Sequence, residues 1–269
     1  MAKQNGRVEE LHQALEAGVA SLVDGDAWKA WLGTQARFHR YSFNNSMLIA
    51  MQMPEATQVA GYRTWQGMGR QVRKGSKSIG ILAPMFRKDK NAEGKDEQRL
   101  VGFRAVSVFD VSQTDGEPLP TSGVTLVEGE APAGLWDALA SQVAANGYSL
   151  ERGDCGAANG WTNGTTKTIR VRDDVSDAQA VKTLAHEVAH MMLHMDGDDA
   201  LAHRGIAEVE AESVAFIVAG AHGMDTSGYT FGYVAGWAGS AEADAVRQTG
   251  ERVTKTARKI IQTAGLVAE

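Results

Sequence analysis

The stretch that decides the fold is His186-Glu187-Val188-Ala189-His190. On a helix, two histidines four residues apart stand one above the other on the same face. Both imidazoles can then reach one Zn²⁺ at about 2.0–2.1 Å. Glu187 is displaced around the helix, beside such an ion rather than on it. From there it can take a proton from a water the ion activates and later return it to a leaving amine. The five residues therefore predict a zinc-dependent peptidase site with Glu187 as general base.

The surrounding sequence predicts a helix there. Ser176-Asp177-Ala178-Gln179 has the form of a capping box, in which the serine oxygen meets the amide three residues on and the glutamine reaches back. Asp196-Gly197 marks the far end. Upstream, 168–172 alternates, with Ile169 and Val171 on one face, as a strand does. Asn163-Gly164 just before it is a hairpin-turn signal. Further helices are expected at 132–146, 204–222 and 240–264.

A catalytic zinc needs a third protein ligand and an open position. His194 lies one more turn along the helix, but three ligands in a straight row would span about 12 Å and cannot converge. Asp196 is weak too, because a turn returning it to the ion would use glycine where the chain has Leu193. The following helix offers Glu208-Val209-Glu210-Ala211-Glu212. Glu208 and Glu212 share a face, so Glu208 is the expected third ligand. Glu212 would accept a hydrogen bond from a liganding imidazole and fix its tautomer. His194 and His203 are left as surface or supporting groups. Tyr229 or Tyr233 could donate to the oxyanion of a tetrahedral intermediate, although both also read as packing aromatics.

Composition sets the frame. The 269 residues are 43% hydrophobic and 22% charged, ordinary for a globular protein with room for two modest domains. No apolar run approaches the roughly 18 residues a membrane helix requires, so no membrane partner is expected. Cys155 is the single cysteine, which excludes an internal disulfide and a cysteine-based zinc site. With a polar N-terminus lacking an apolar signal region, a cytoplasmic protein is expected.

Charge is unevenly spread. Residues 1–110 hold 16 Lys and Arg against 11 Asp and Glu, a balance of +5, which leaves −11 for the rest of a chain of net charge −6. The basic half is the candidate for a polyanionic partner. It predicts helices at 8–22, at 26–38 with Asp26 as cap, and at 45–51, stopping before Pro54. Strands at 78–84 and 100–109, joined by a charged loop, predict an antiparallel hairpin. The turn-rich segment 112–120 is the best linker. The expected architecture is thus α+β in two domains. Residues 1–117 form helices followed by a hairpin, and 118–269 form a zincin-like domain with a small sheet and an active-site helix.

Between Glu55 and Asp89 there is no acidic residue, while Arg63, Arg70, Arg73, Lys74 and Lys77 accumulate around Tyr62 and Trp65. A cationic groove with aromatic faces is how proteins hold single strands, bases stacking on the rings. Phosphate contacts carry no base information, so little sequence preference is expected.

Two resemblances sharpen these expectations. His186-Glu187-x-x-His190 followed by Glu208-x-x-Ala211-Glu212 resembles the gluzincin pattern, with glutamate at 212 where that pattern has aspartate or asparagine. The surrounding order is similar to ImmA/IrrE-type peptidases and to the C-terminal domain of ArdC antirestriction proteins. That resemblance implies that strand 168–172 is an edge to which an extended peptide substrate adds. Residues 31–84 resemble the ArdC N-terminal single-stranded-DNA-binding domain through three stretches. These are Phe38-His39-Arg40-Tyr41-Ser42-Phe43-Asn44-Asn45-Ser46, Ala60-Gly61-Tyr62-Arg63-Thr64-Trp65-Gln66, and Gly69-Arg70-Gln71-Val72-Arg73-Lys74-Gly75-Ser76-Lys77. The resemblance implies a plasmid- or phage-borne antirestriction protein that binds single-stranded DNA and cleaves a protein or peptide substrate, with Arg40 among its DNA contacts. The alternative is a non-catalytic DNA-binding protein whose zinc site is structural or vestigial.

Overall fold

The computed structural model describes residues 2–90, 96–117, 119, 130–195, 204–229, 231 and 243–265. They divide into two compact units, one built from residues 1–21 and 44–119, the other from 22–43 and 120–269.

In the first unit, α1 (Ala2–Ser21) buries Leu11, Leu15 and Val19, a four-residue spacing that puts all three on one face. α3 (Phe43–Gln52) follows α2 in sequence, and its residues 44–52 belong here. Strands β1 (Val59–Gly61), β3 (Ile79–Lys90) and β4 (Asp96–Asp110) form an antiparallel sheet in the order β1-β4-β3. Strand β3 is therefore an edge with open backbone groups, and α3 covers part of it. The Asn45 side chain donates to Leu82 O and accepts from Leu82 N, both at 2.9 Å. Gln52 does the same for Gly80, both at 2.8 Å. Two side-chain amides thus stand in for a neighbouring strand, one means of closing an edge against unwanted pairing. The short helix α4 (Tyr62–Gly67) and the ribbon of β2 (Gln71–Val72) with β5 (Thr114–Asp115) complete the unit. Asp110 ends β4 buried, its carboxylate accepting from the backbone N–H groups of Thr57, Gln58 and Ser112.

The second unit is helical around a small sheet. Its elements are α2 (Gly25–Arg37), α5 (Leu135–Ala145), β6 (Ser149–Arg152), β7 (Gly160–Asn163), β8 (Thr168–Val171), α6 (Asp177–Leu193), α7 (Arg204–Ala221) and α8 (Ala243–Ala264). Helix α7 buries Val209, Ala211 and the whole run Val214–Ala219, as a helix enclosed on most sides must. Helices α2, α6 and α8 pack against it. Trp28 of α2 is fully buried and its indole N–H donates to Ser213 Oγ at 2.9 Å.

Several expectations are corrected. Residues 22–43 belong to the second unit, so the expected domain 1–117 is not one compact body; Trp28, Trp31 and Leu32 are buried in the C-terminal core. The N-cap of α2 is Asp24, whose Oδ1 accepts from the N–H groups of Asp26 and Ala27. Half of the capping box forms: Ser176 Oγ accepts from Gln179 N, while the Gln179 side chain turns to Thr183 Oγ1. Asn163 pairs with Thr168, so the hairpin loop is four residues long, with Lys167 at φ 50°. Most consequentially, β8 lies in the middle of the sheet, order β6-β8-β7, parallel to β6 and antiparallel to β7. The strand expected to receive a substrate has both its edges filled. Among the described residues the strand with an open edge on the α6 side is β7.

Candidate metal centre

Helix α6 carries His186 and His190 on one face, their Nε2 atoms 3.0 Å apart. The first turns of α7 bring Glu208 to the same place, its Oε2 3.5 Å from His186 Nε2 and 3.7 Å from His190 Nε2. One ligand atom from each of the three lies within 4.8 Å of the others. Glu212, one turn further along α7, accepts from His186 Nδ1 at 3.1 Å. That bond leaves His186 Nε2 as the nitrogen facing the cluster. Two imidazoles and one carboxylate form a donor set that suits a divalent ion of the zinc type, with a coordination position to spare. No fourth His, Cys, Asp or Glu joins them among the described residues.

Electrostatics agree with the geometry. Burial by itself lowers the pKa of His186, but hydrogen bonds to Glu208 and Glu212 outweigh it and push the value up to about 10. The two imidazoles hold Glu208 well below the usual carboxylate range. A cluster that grips a proton this firmly is one that a cation can enter by displacing it.

Glu187 is 5% exposed and lines the same cleft as His186 and Glu212. Burial raises its pKa, and a hydrogen bond donated by Thr162 Oγ1 to its Oε2, at 2.7 Å, opposes that rise. Thr162 sits on β7, which presses close to α6 at this point. A Cβ on Gly160 would lie 2.6 Å from Thr183 Cγ2, 3.0 Å from Arg170 O and 3.1 Å from Glu187 Oε1. Only glycine permits that approach. A cleft of about 360 Å³ opens here, lined among others by Gly160, Lys182, His186, Glu187, Glu212 and Tyr229. Tyr229 is 7% exposed, and its hydroxyl has no hydrogen-bond partner among the described residues. Tyr233 lies outside the described residues.

The expected DNA-binding residues divide. Tyr62, Arg63, Arg73, Lys74 and Lys77 are exposed on the first unit, Arg73 reaching Asp115 at 3.2 Å. Arg40 is exposed on the second unit. Two candidates are overturned. Trp65 is fully buried, its indole donating to Phe109 O at 2.8 Å, so no base can stack on it. Arg70 is 9% exposed and its guanidinium is committed to Thr114 Oγ1 and to the carbonyls of Thr114, Gly116 and Glu117. It holds the end of the unit together, with four of its five N–H donors committed within the protein.

Sequence reasoning missed Thr162, Glu210 and the distal β3–β4 hairpin. The hairpin exposes Phe86 (56%), Leu100 (48%) and Phe103 (42%). Phe86 pairs with Leu100, Pro84 with Phe103 and Lys88 with Gln98, so these side chains share one face. On the other face Arg87 stands directly opposite Arg99. The charge of 88–98 predicts a loop, and nothing local marks that the strands run on into it with Phe86, Leu100 and Phe103 exposed.

The chain has a two-domain α+β fold, and its two halves match two different family models. Residues 141–230 match the family model of the IrrE N-terminal-like domain of the M78 peptidases. Residues 4–109 match that of the N-terminal domain of anti-restriction factor ArdC. The chain is of the ArdC type, an ArdC N-terminal domain joined to an IrrE-like domain. The metal-free crystal structure of antirestriction ArdC protein from R388 plasmid has the same fold, with a TM-score of 0.56 and 21% identity, covering 85% of this chain and 87% of that one. Its Mn(II)-bound crystal structure aligns with a TM-score of 0.47 at 21% identity, covering 88% and 95%. An uncharacterized protein of Bacillus anthracis is 28% identical over 247 residues, 75% of this chain and 41% of that protein. The chain thus spans less than half the length of this curated relative. No helix among the described residues is long and apolar enough to cross a membrane.

Proposed function

We propose that the chain is a DNA-associated, zinc-dependent peptidase of the antirestriction type, with a DNA-binding N-terminal part and a hydrolytic C-terminal part. The observation that carries the peptidase half is the convergence of His186, His190 and Glu208 beside the buried, hydrogen-bonded carboxylate of Glu187. Zinc held by those three would supply a Lewis acid and lower the pKa of an attacking water. Glu187 would take a proton from that water and return it to the leaving amine, while Thr162 holds its carboxylate and opposes the pKa rise that burial causes. Strand β7 is an edge of its sheet and its Gly160 lines the cleft, so it would offer backbone groups to an extended peptide. Tyr229 lines the same cleft, and its hydroxyl, without a hydrogen-bond partner among the described residues, would donate to a developing oxyanion. Three candidate ligands among the described residues favour this over a structural zinc site, which four would close.

Glu187→Gln is expected to retain zinc, measured by metal analysis of the full chain, and to lose cleavage of a peptide library read by mass spectrometry. A variant that cleaves as well as wild type removes Glu187 from the general-base role.

Single-stranded DNA is the proposed partner of the first unit, supported by the exposed cations Arg63, Arg73, Lys74 and Lys77 and by the hairpin. Phe86 and Phe103 offer stacking faces, with Lys88 beside them. The Arg87–Arg99 pair places like charges across a ladder, an arrangement that an anion relieves. Each base–aromatic stack contributes about 1–3 kcal/mol, so Phe86→Ala and Phe103→Ala should each weaken single-strand binding by about 5- to 160-fold. Binding should also fall as salt rises. Affinity that ignores both the substitutions and the salt would sink the interface. Non-covalent binding to single-stranded DNA would concentrate the peptidase near DNA-bound substrates.

A further inference from the structure

We propose that His190 is held in the tautomer a metal requires by a buried relay running through His194 and Glu210 to Arg252. The relay rests on the metal-centre reading above, and it concerns residues that reading does not use.

Helix α6 ends at Leu193, and His194 is its C-cap, the N–H of His194 still bonded to His190 O at 2.9 Å. The imidazole of His194 is 9% exposed and touches two partners. Its Nδ1 is 3.0 Å from His190 Nδ1, and its Nε2 is 2.9 Å from Glu210 Oε2. A carboxylate only accepts, so the Nε2 of His194 donates. In a neutral imidazole Nδ1 is then bare, and the close Nδ1–Nδ1 contact holds one proton, which belongs to His190. His190 therefore carries its proton on Nδ1 and presents a bare Nε2 to the cluster with His186 and Glu208. The opposite sense would put that proton on Nε2, in the position of the ion.

Helix α7 thus supplies three glutamates with three tasks. Glu208 faces the ion, Glu212 fixes His186 directly, and Glu210 fixes His190 through an intervening imidazole. Glu210 is anchored in turn by Arg252 of α8, whose guanidinium nitrogen is 3.2 Å from the same Oε2. A second observation points the same way. Glu210 is 1% exposed, and its Oε1 has no hydrogen-bond partner among the described residues. A staple between α6 and α7 has no need of a buried charge with one oxygen unsatisfied, since a neutral amide would serve. Glu210 Oε2, which also takes the Arg252 contact, is the acceptor that keeps the proton on His194 Nε2.

The test uses the full chain and Zn²⁺ alone. Zinc dissociation constants come from competition with a chromophoric chelator, alongside melting temperatures of the metal-free proteins. Partners that orient a liganding histidine typically contribute 10–100-fold in affinity. His194→Leu should weaken zinc by that factor, comparably to Glu212→Gln. Glu210→Gln and Arg252→Ala, which keep the imidazole but remove the charge or its anchor, should each weaken it several-fold. They also keep the test alive should His194→Leu fail to fold. Nitrogen-15 NMR of the wild type should show the His190 proton on Nδ1. Variants that lower the melting temperature while zinc affinity stays within twofold overturn the relay in favour of a helix staple, as does a His190 proton found on Nε2. A wild type that takes up no zinc sinks the metal centre itself, whereas a wild type that binds zinc with unchanged variants sinks the relay alone.

Discussion

Thr162 shows how a single hydroxyl sets the chemistry of this site. Burial drives the Glu187 pKa up, which favours the protonated form and opposes work as a base. The Thr162 hydrogen bond pulls it back down. Thr162→Val removes that restraint at nearly constant volume, so the pKa of Glu187 rises further. The acidic limb of the pH–rate profile, measured on a peptide that wild type cleaves, should move to higher pH. A limb that stays in place would mean that the hydroxyl does not govern the base. At the same scale, Trp65 and Arg70 mark the limit of residue-type reasoning. Both have the chemistry of DNA contacts, and both are turned inward by backbone acceptors at Phe109 and at 114–117.

Among the elements, the β1-β4-β3 sheet depends on polar groups at its margins as much as on its apolar face. Asn45 and Gln52 close the edge of β3. Asp110 secures the end of β4 by accepting from three backbone N–H groups. Burial alone would raise the pKa of Asp110, but the hydrogen bonds prevail and hold it below 3.8. A carboxyl depressed in the fold contributes stability that is present above its unfolded value and lost as pH falls through the folded one. Asp110→Asn should therefore cost about 1–3 kcal/mol at neutral pH. In urea titrations the gap between wild type and variant should close below about pH 3.8. A gap independent of pH would show that shape, not charge, holds the strand end. The hairpin beyond Pro84 shows the other side of element-level reading. The charge of 88–98 predicts a loop, yet the strands extend to Lys90 and from Asp96 and leave Phe86 and Phe103 exposed.

For the molecule as a whole, the decisive fact is that compact units and sequence segments do not coincide. Residues 22–43 sit within the stretch that matches the ArdC N-terminal domain, yet they pack into the C-terminal unit. A fragment of residues 1–117 would strip Trp28, Trp31 and Leu32 of their surroundings. It should aggregate or bind a hydrophobic dye and lack cooperative thermal unfolding, while the full chain unfolds cooperatively. A fragment that unfolds cooperatively as a monomer would show that α2 has a second place to pack. The helix with its two histidines, the two carboxylates four residues apart on α7 and the split of charge between the halves were all legible in the chain, because each depends on local spacing or on counting. The strand order β6-β8-β7, the burial of Trp65 and Arg70, the relay through His194 and Glu210 and the allegiance of α2 were not. Each is settled by which surfaces meet across long separations in the chain, and no period or motif within a segment records its partner.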